Sequence, residues 1–120
     1  MVTRLISAAV LAIVIFLLLL AANIAARAHH APSGMEYETW CCNGNATHGD
    51  CAQVPAEAVE ETPDGYRITL HPGDHPKVTE TQVFLRGYDN VRFSTDGHFH
   101  ICLWPSQRSL RCLYVPAGGV

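Results

Sequence analysis

The chain contains no CxxC pair, so it offers neither the zinc knuckle nor the redox dithiol that such spacing supports. It has no GxSxG elbow, HExxH helix, P-loop or GxGxxG turn, the signatures of common hydrolases, metalloproteases and nucleotide binders. No internal repeat occurs. Basic residues are few: eight Lys and Arg face eleven Asp and Glu, a net charge of −3. An acidic chain without a basic stripe is a poor partner for nucleic acid or anionic lipid. What the sequence does have is an apolar leader, five cysteines and seven histidines.

The leader comes first. Residues 5–22 are all apolar or small, Arg4 precedes them, and Ala26-Arg27-Ala28 follows with small residues at −3 and −1. Charge, apolar run and cleavage site in that order describe a secretory signal peptide. The run exceeds the usual ~7–15 residues and approaches bilayer-spanning length, so the alternative is an uncleaved anchor over residues 5–22. Membrane contact is expected only in that second case. Both readings export the remainder, to the periplasm or beyond. Removing residues 1–28 from 120 leaves 92. Arg4 and Arg27 go with them, so six basic residues face eleven acidic ones, a net charge of −5. The expected organisation is a leader over 1–28, an irregular cysteine-rich lead-in over 29–55, and a small antiparallel β domain over 56–120. The lead-in should pack with that domain as one unit. So small a domain buries only about 60–70% of its unfolded surface and needs staples. Export to an oxidising compartment allows disulfides to persist.

Three of the five cysteines fall in the stretch Trp40-Cys41-Cys42 … Asp50-Cys51, and Cys102 and Cys112 are the others. Structural disulfides are therefore the default reading. Five cysteines with one left over allow fifteen connectivities. Neighbouring residues in extended chain point opposite ways, so Cys41 and Cys42 should have different fates. The expected pairs are Cys42–Cys51 and Cys102–Cys112, leaving Cys41 as an unpaired thiol. The competing pattern ties Cys41 or Cys42 to the C-terminal hairpin. Trp40 reads as an anchor against the core. Residues 43–51 carry turn chemistry rather than an EF-hand, since the closing bidentate acid is missing.

From residue 56 onward the pattern is short strands. Residues 59–62 and 66–70 flank Pro63-Asp64-Gly65, and 78–86, 91–94, 98–104 and 110–115 follow, separated by turn signals. A short helix is expected only within 52–61. The fold class is mainly β, a small disulfide-stapled antiparallel meander behind an apolar N-terminal helix. In the last hairpin, setting Cys102 opposite Cys112 places His98, His100, Cys102, Trp104, Leu110, Cys112 and Tyr114 on one face. Phe99, Ile101, Leu103, Leu113 and Val115 then form the core face, interrupted only by Arg111. The acids Glu57, Glu60, Glu61 and Asp64 read as a solvated strand edge.

The histidines are the candidates for chemistry. Cleavage after Ala28 exposes His29 as a terminal amine and imidazole, followed by His30, a start that suits copper. His98 and His100 share a strand face in the alternation above, a spacing found in copper and zinc sites. His71, Asp74 and His75 offer further donors in a loop whose Pro and Gly have a sufficient turn role. The plainer reading treats the first pair as a solvated tail and the second as surface residues beside a disulfide. A Cys41 thiol near His48 would be the starting point for a nucleophile, but a chain this small has little room for a walled cleft.

Taken together, Trp40-Cys41-Cys42 … Asp50-Cys51 and Asp96-Gly97-His98-Phe99-His100-Ile101-Cys102 … Arg111-Cys112-Leu113-Tyr114-Val115-Pro116 resemble a group of small exported bacterial proteins. That group carries WCC…DC and DGxFHxC…RCxYxP motifs. The resemblance implies a bacterial, periplasmic setting, which leaves the Asn45 sequon without meaning, and it implies no particular activity. The expected function is a non-catalytic exported envelope domain, binding or structural accessory, with no cofactor and an envelope protein as partner. The alternative is a periplasmic copper or zinc protein using His29, His30, His98 and His100.

Overall fold

The computed structural model describes residues 1–24, 30–42 and 50–118. Helix α1, Val2–Ile24, is built from the apolar leader. Its described large apolar side chains, from Ile6 to Leu19, are exposed. Among the described residues no helix is long and apolar enough to cross a membrane.

Seven strands follow: β1 Cys51–Gln53, β2 Val59–Thr62, β3 Gly65–Leu70, β4 Gln82–Arg86, β5 Arg92–Ser94, β6 His100–Leu103 and β7 Leu110–Pro116. The fold is mainly β, with two disulfides and mostly antiparallel strand pairing. A single meander, however, is not what forms. Strands β2-β3-β4 make a three-stranded meander, while a four-stranded sheet has the order β1-β6-β7-β5. The Thr95-Asp96-Gly97 turn does not return β5 onto β6. The Asp96 carboxylate accepts the His98 N–H at 3.1 Å and Gly97 takes φ +77°, so residues 95–99 bend away. Strand β5 instead lies parallel to β7, Arg92 beside Tyr114. The short helix expected only within 52–61 is a 3₁₀ turn at Ala56–Ala58, and a second 3₁₀ turn, not expected, forms at Tyr88–Asn90.

The β2-β3 turn forms at Pro63-Asp64, with Thr62 paired to Gly65. Gly65 has φ +144°, and a Cβ there would lie 2.1 Å from the Arg86 carbonyl oxygen. Only glycine lets β3 and the end of β4 come this close. The acids Glu60 and Glu61 are exposed on edge strand β2, as the charge pattern implied.

The two sheets meet through an apolar core. Val59, Tyr66, Ile68 and Leu70 from the meander pack with Phe99, Ile101, Leu103, Leu113 and Val115. The expected core face of the last hairpin is therefore the observed one, apart from Arg111. A bulge explains the exception. Cys102 pairs with Cys112, but Leu103 pairs with Leu110, so Arg111 is the extra residue and its side chain leaves for solvent. The shift also turns Leu110 toward the apolar core instead of placing it opposite Trp104.

The opposite face of the hairpin carries a second core. Ala31, Met35 and Tyr37 of the lead-in are buried there with Cys41, Cys51, Cys102, Cys112 and Tyr114. A tight turn shapes the lead-in: Ala31 N–H bonds the Met35 carbonyl and Gly34 N–H the Ala31 carbonyl, both at 2.8 Å.

The disulfides correct the expected pairing. The bonds are Cys41–Cys112 and Cys51–Cys102, and the free thiol is Cys42 rather than Cys41. The reason is strand β1, hidden in sequence by neighbouring turn residues. It places Cys51 directly opposite Cys102 on one side of β6, while Cys112 stands opposite on the other. With Cys102 joined to Cys51, Cys112 turns to the lead-in and takes Cys41. Cys41 and Cys42 do have different fates: the first is buried and bonded, the second half-exposed. The bridges close separations of 71 and 51 residues, each worth about 4 kcal/mol in the chain-entropy view.

Candidate binding site

Two groups of polar side chains stand out, one buried and one open. The buried group is centred on His100 of β6. Its Nε2 lies 2.9 Å and 3.0 Å from the two Asp96 carboxylate oxygens, and its Nδ1 lies 2.8 Å from the Tyr37 hydroxyl. Ser33 completes the chain by donating to Asp96 at 2.5 Å. Burial, followed by the charge of Asp96, raises the Tyr37 pKa, and the Asp96 carboxylate is an acceptor only. The Nε2–H is then the donor to Asp96. Burial pushes the Asp96 carboxyl upward, but hydrogen bonds from Ser33, His100 and the His98 backbone outweigh it and hold the pKa at about 2. Tyr37 also packs edge-on against His100 and Tyr114, and Tyr114 donates to the Cys41 sulfur at 3.3 Å.

This network belongs to the architecture. His100 is fully buried and both ring nitrogens are engaged within the fold, so no ligand can reach them without unpacking the lead-in. The same holds for His75. Its Nε2–H is shared between the Asp50 and Ile101 carbonyls at 3.1 Å each, and its Nδ1 accepts the Lys77 N–H at 3.1 Å. Lys77 in turn bonds the buried Asp50 carboxylate at 2.7 Å and the Leu103 carbonyl at 2.9 Å.

Among the described residues, the predicted ligands His30, His98 and His100 form no metal-holding group. His98 is exposed while His100 is buried, because β6 begins only at His100 and strand alternation does not extend back to His98. His30 is exposed, its Nδ1 3.7 Å from Glu36. His29 and His48 lie outside the described residues. His71 is exposed and holds Asp74 and Thr81 through hydrogen bonds, apart from the buried His75. Among the described residues no three His, Cys, Asp or Glu side chains are grouped to hold a metal ion. The donor set of His98 and His100 does not fit a copper or zinc site.

The open group was not anticipated. Arg86 at the end of β4, Arg92 at the start of β5 and Arg111 in the β7 bulge line a pocket of about 430 Å³, together with Trp40 and Asp89. Trp40, expected in the core, is 47% exposed. The Arg92 guanidinium lies 4.6 Å from its ring centre and that of Arg111 lies 5.9 Å away. Arg111 also donates through Nε to the Trp40 carbonyl at 3.0 Å and lies 5.6 Å from the Trp104 ring. Glu38 bonds two of the lining residues, accepting from Trp40 Nε1 at 2.5 Å and lying 3.5 Å from Arg92 Nε. Arg86 spends Nη2 on the Leu110 carbonyl at 2.6 Å, while its buried Nε has no partner among the described residues. Burial lowers the Arg86 pKa. A pocket of about 180 Å³ adjoins, lined by Trp40, Trp104, Arg111 and the free Cys42.

One signal in the sequence pointed here. A charged residue interrupting an otherwise apolar strand face, as Arg111 does, marks a bulge that redirects the side chain. Arg86 and Arg92 carried no such mark, because only the meeting of two sheet edges brings them to Arg111.

No family model, no curated protein and no solved structure matches the chain.

Proposed function

We propose that this chain is a non-catalytic exported domain of the bacterial cell envelope, acting there as a binding accessory. The observation that carries the reading is the use made of the sulfurs. Four of the five cysteines are consumed in two bonds at the second core, an arrangement that persists in an oxidising compartment and not in a reducing one. The leader supports it: residues 1–28 are read as a signal peptide cleaved after Ala28, with retention as an anchor the alternative. The non-catalytic part rests on the imidazoles. His75 and His100, the buried bases, have their nitrogens occupied by fold-making hydrogen bonds. The open pocket is instead lined by Arg86, Arg92, Arg111 and Trp40, which suit binding rather than proton transfer.

The test is the intact mass of the native product, recovered from envelope and cytosolic fractions. The expected species starts at His29 and weighs four hydrogens less than its reduced form, one pair for each bridge. A full-length oxidised chain in the membrane fraction selects the anchored version. A reduced, unprocessed chain in the cytosol overturns the proposal.

A further inference from the structure

We infer that the pocket lined by Arg86, Arg92 and Arg111 is a binding site for an oxyanion, a carboxylate or phosphate group carried by the partner or by a small ligand. The inference rests on the reading of the chain as a binding accessory and supplies its ligand class.

The distribution of charge comes first. The exported part has six basic residues in a net acidic surface, and three of those six converge on one concavity whose lining contains a single acid, Asp89. Chance scatter on a surface gives isolated arginines with neighbouring acids. Here three different elements, β4, β5 and β7, deliver their arginines to one place. Guanidinium groups favour carboxylate and phosphate because their N–H forks match two oxygens at once.

The donors are also held ready. Arg111 is tied by one bond to the Trp40 carbonyl, which fixes its direction, and its terminal nitrogens make no hydrogen bond among the described residues. Arg86 is anchored through Nη2, and the desolvated Nε is a donor with no acceptor among the described residues. Such an atom carries a desolvation penalty until an acceptor arrives. The Trp40 ring keeps water from one side of Arg92 and Arg111, which strengthens a charge-assisted hydrogen bond made there.

Glu38 already shows what the site recognises. Its carboxylate reaches both Arg92 and the Trp40 N–H at the pocket rim, so an internal oxyanion occupies part of the donor set. An incoming carboxylate or phosphate competes with it for Arg92. Neutralising Glu38 should therefore tighten binding, which mere surface attraction to a basic patch would change far less.

The experiment uses the oxidised exported product in a non-ionic detergent, followed by the arginine Nε–H signals and tryptophan fluorescence. The probes are inorganic phosphate and succinate, each titrated at constant ionic strength, with chloride as control. The expected result is saturable shifts at Arg86, Arg92 and Arg111 with phosphate, succinate or both, whichever saturates naming the source. Arg92→Gln, a half-exposed change that spares the fold, should weaken binding about tenfold. Glu38→Gln should tighten it about threefold. Folded protein with no saturable response to either probe overturns the inference, as does a response matched by chloride or unchanged in Arg92→Gln. An exported, oxidised protein that fails here leaves the envelope reading standing. A cytosolic, reduced protein sinks that reading whatever the titration gives.

Discussion

The two faces of the β6-β7 hairpin solve the same problem by different means. On one face, Phe99, Ile101, Leu103, Leu113 and Val115 meet a second sheet, and the contact is apolar throughout. On the other, Tyr114, Cys102 and Cys112 meet an irregular segment whose buried apolar residues are few: Ala31, Met35, Tyr37 and Cys41. A sheet presents a regular row of side chains and can be held by burial alone, at roughly 25 cal/mol per Å². A lead-in without regular structure buries too little for that, and its backbone groups need partners too. Two disulfides and the Ser33–Asp96–His100–Tyr37 chain supply the difference. The covered face is thus covalent and polar where its reverse is greasy.

The strongest way to break this comparison is to cut the bridges. The paired change Cys41→Ala with Cys112→Ala should lower stability by about 4 kcal/mol, a large part of the ~5–15 kcal/mol usual for small domains. Urea unfolding measures the loss, and amide exchange should show residues 30–42 exchanging freely while β3 and β6 stay protected. A comparable loss of protection in both cores would mean that the lead-in bridge supports the whole molecule, and the division proposed here would fail.

The converse change tests the other face. Leu113→Ala, at a fully buried site between the sheets, should cost about 3 kcal/mol through lost burial and an unfilled cavity. Its effect on exchange should fall on β2, β3 and β6 first, because those strands share the cavity. Both cores loosening equally would show one cooperative unit rather than two supports.

How much of this was readable from sequence follows from the same contrast. The apolar face was legible because strand alternation is local: five of its members could be named from period two alone. The β2-β3 hairpin was legible from Pro63-Asp64-Gly65. The second core was not, since it depends on which distant segment covers the hairpin. Strand β1 is three residues long and follows a turn-rich stretch, so Cys51 gave no sign of standing opposite Cys102. Without β1 the local pairs Cys42–Cys51 and Cys102–Cys112 look best, and the actual bridges reach farther. His100 was misplaced for the same reason. Its strand face was known, but Tyr37 and Ser33, which bury it, come from more than sixty residues upstream. Trp40 went wrong in the opposite sense: an aromatic beside cysteines suggests packing, yet paired arginines hold it at the surface.

A gentler probe removes one polar tie and keeps the bridges. Asp96→Asn retains the shape but takes away the charge that Ser33 and His100 address. It should cost about 1–3 kcal/mol, as expected for weakening charge-assisted bonds at a largely buried carboxylate. Exchange should rise in residues 30–42 and not at the β2-β3 pairing. No change in lead-in protection would mean that the disulfides alone hold the second core.

The smallest expected effect is titration, and it distinguishes the two faces by pH. Asp96 is held at about 2 in the fold against an ordinary value of 3.8. A depressed carboxyl stabilises the protein above its unfolded pKa, and the contribution fades as pH falls through ~4 toward ~2. His75 behaves alike in sign for a different reason. Burial, partly opposed by its bonds to the Ile101 and Asp50 carbonyls, lowers its pKa below the ordinary 6.5. The unfolded chain therefore binds a proton more readily, and stability should decline as pH drops below ~6.5. Acidification should consequently weaken the fold in two steps, the first where His75 of the β3-β4 loop holds the Asp50 and Ile101 carbonyls, the second at the lead-in. Urea midpoints from pH 7 to pH 3 measure both. His75→Gln should remove the earlier step and Asp96→Asn the later one; a single step surviving both changes would place the acid sensitivity elsewhere in the molecule.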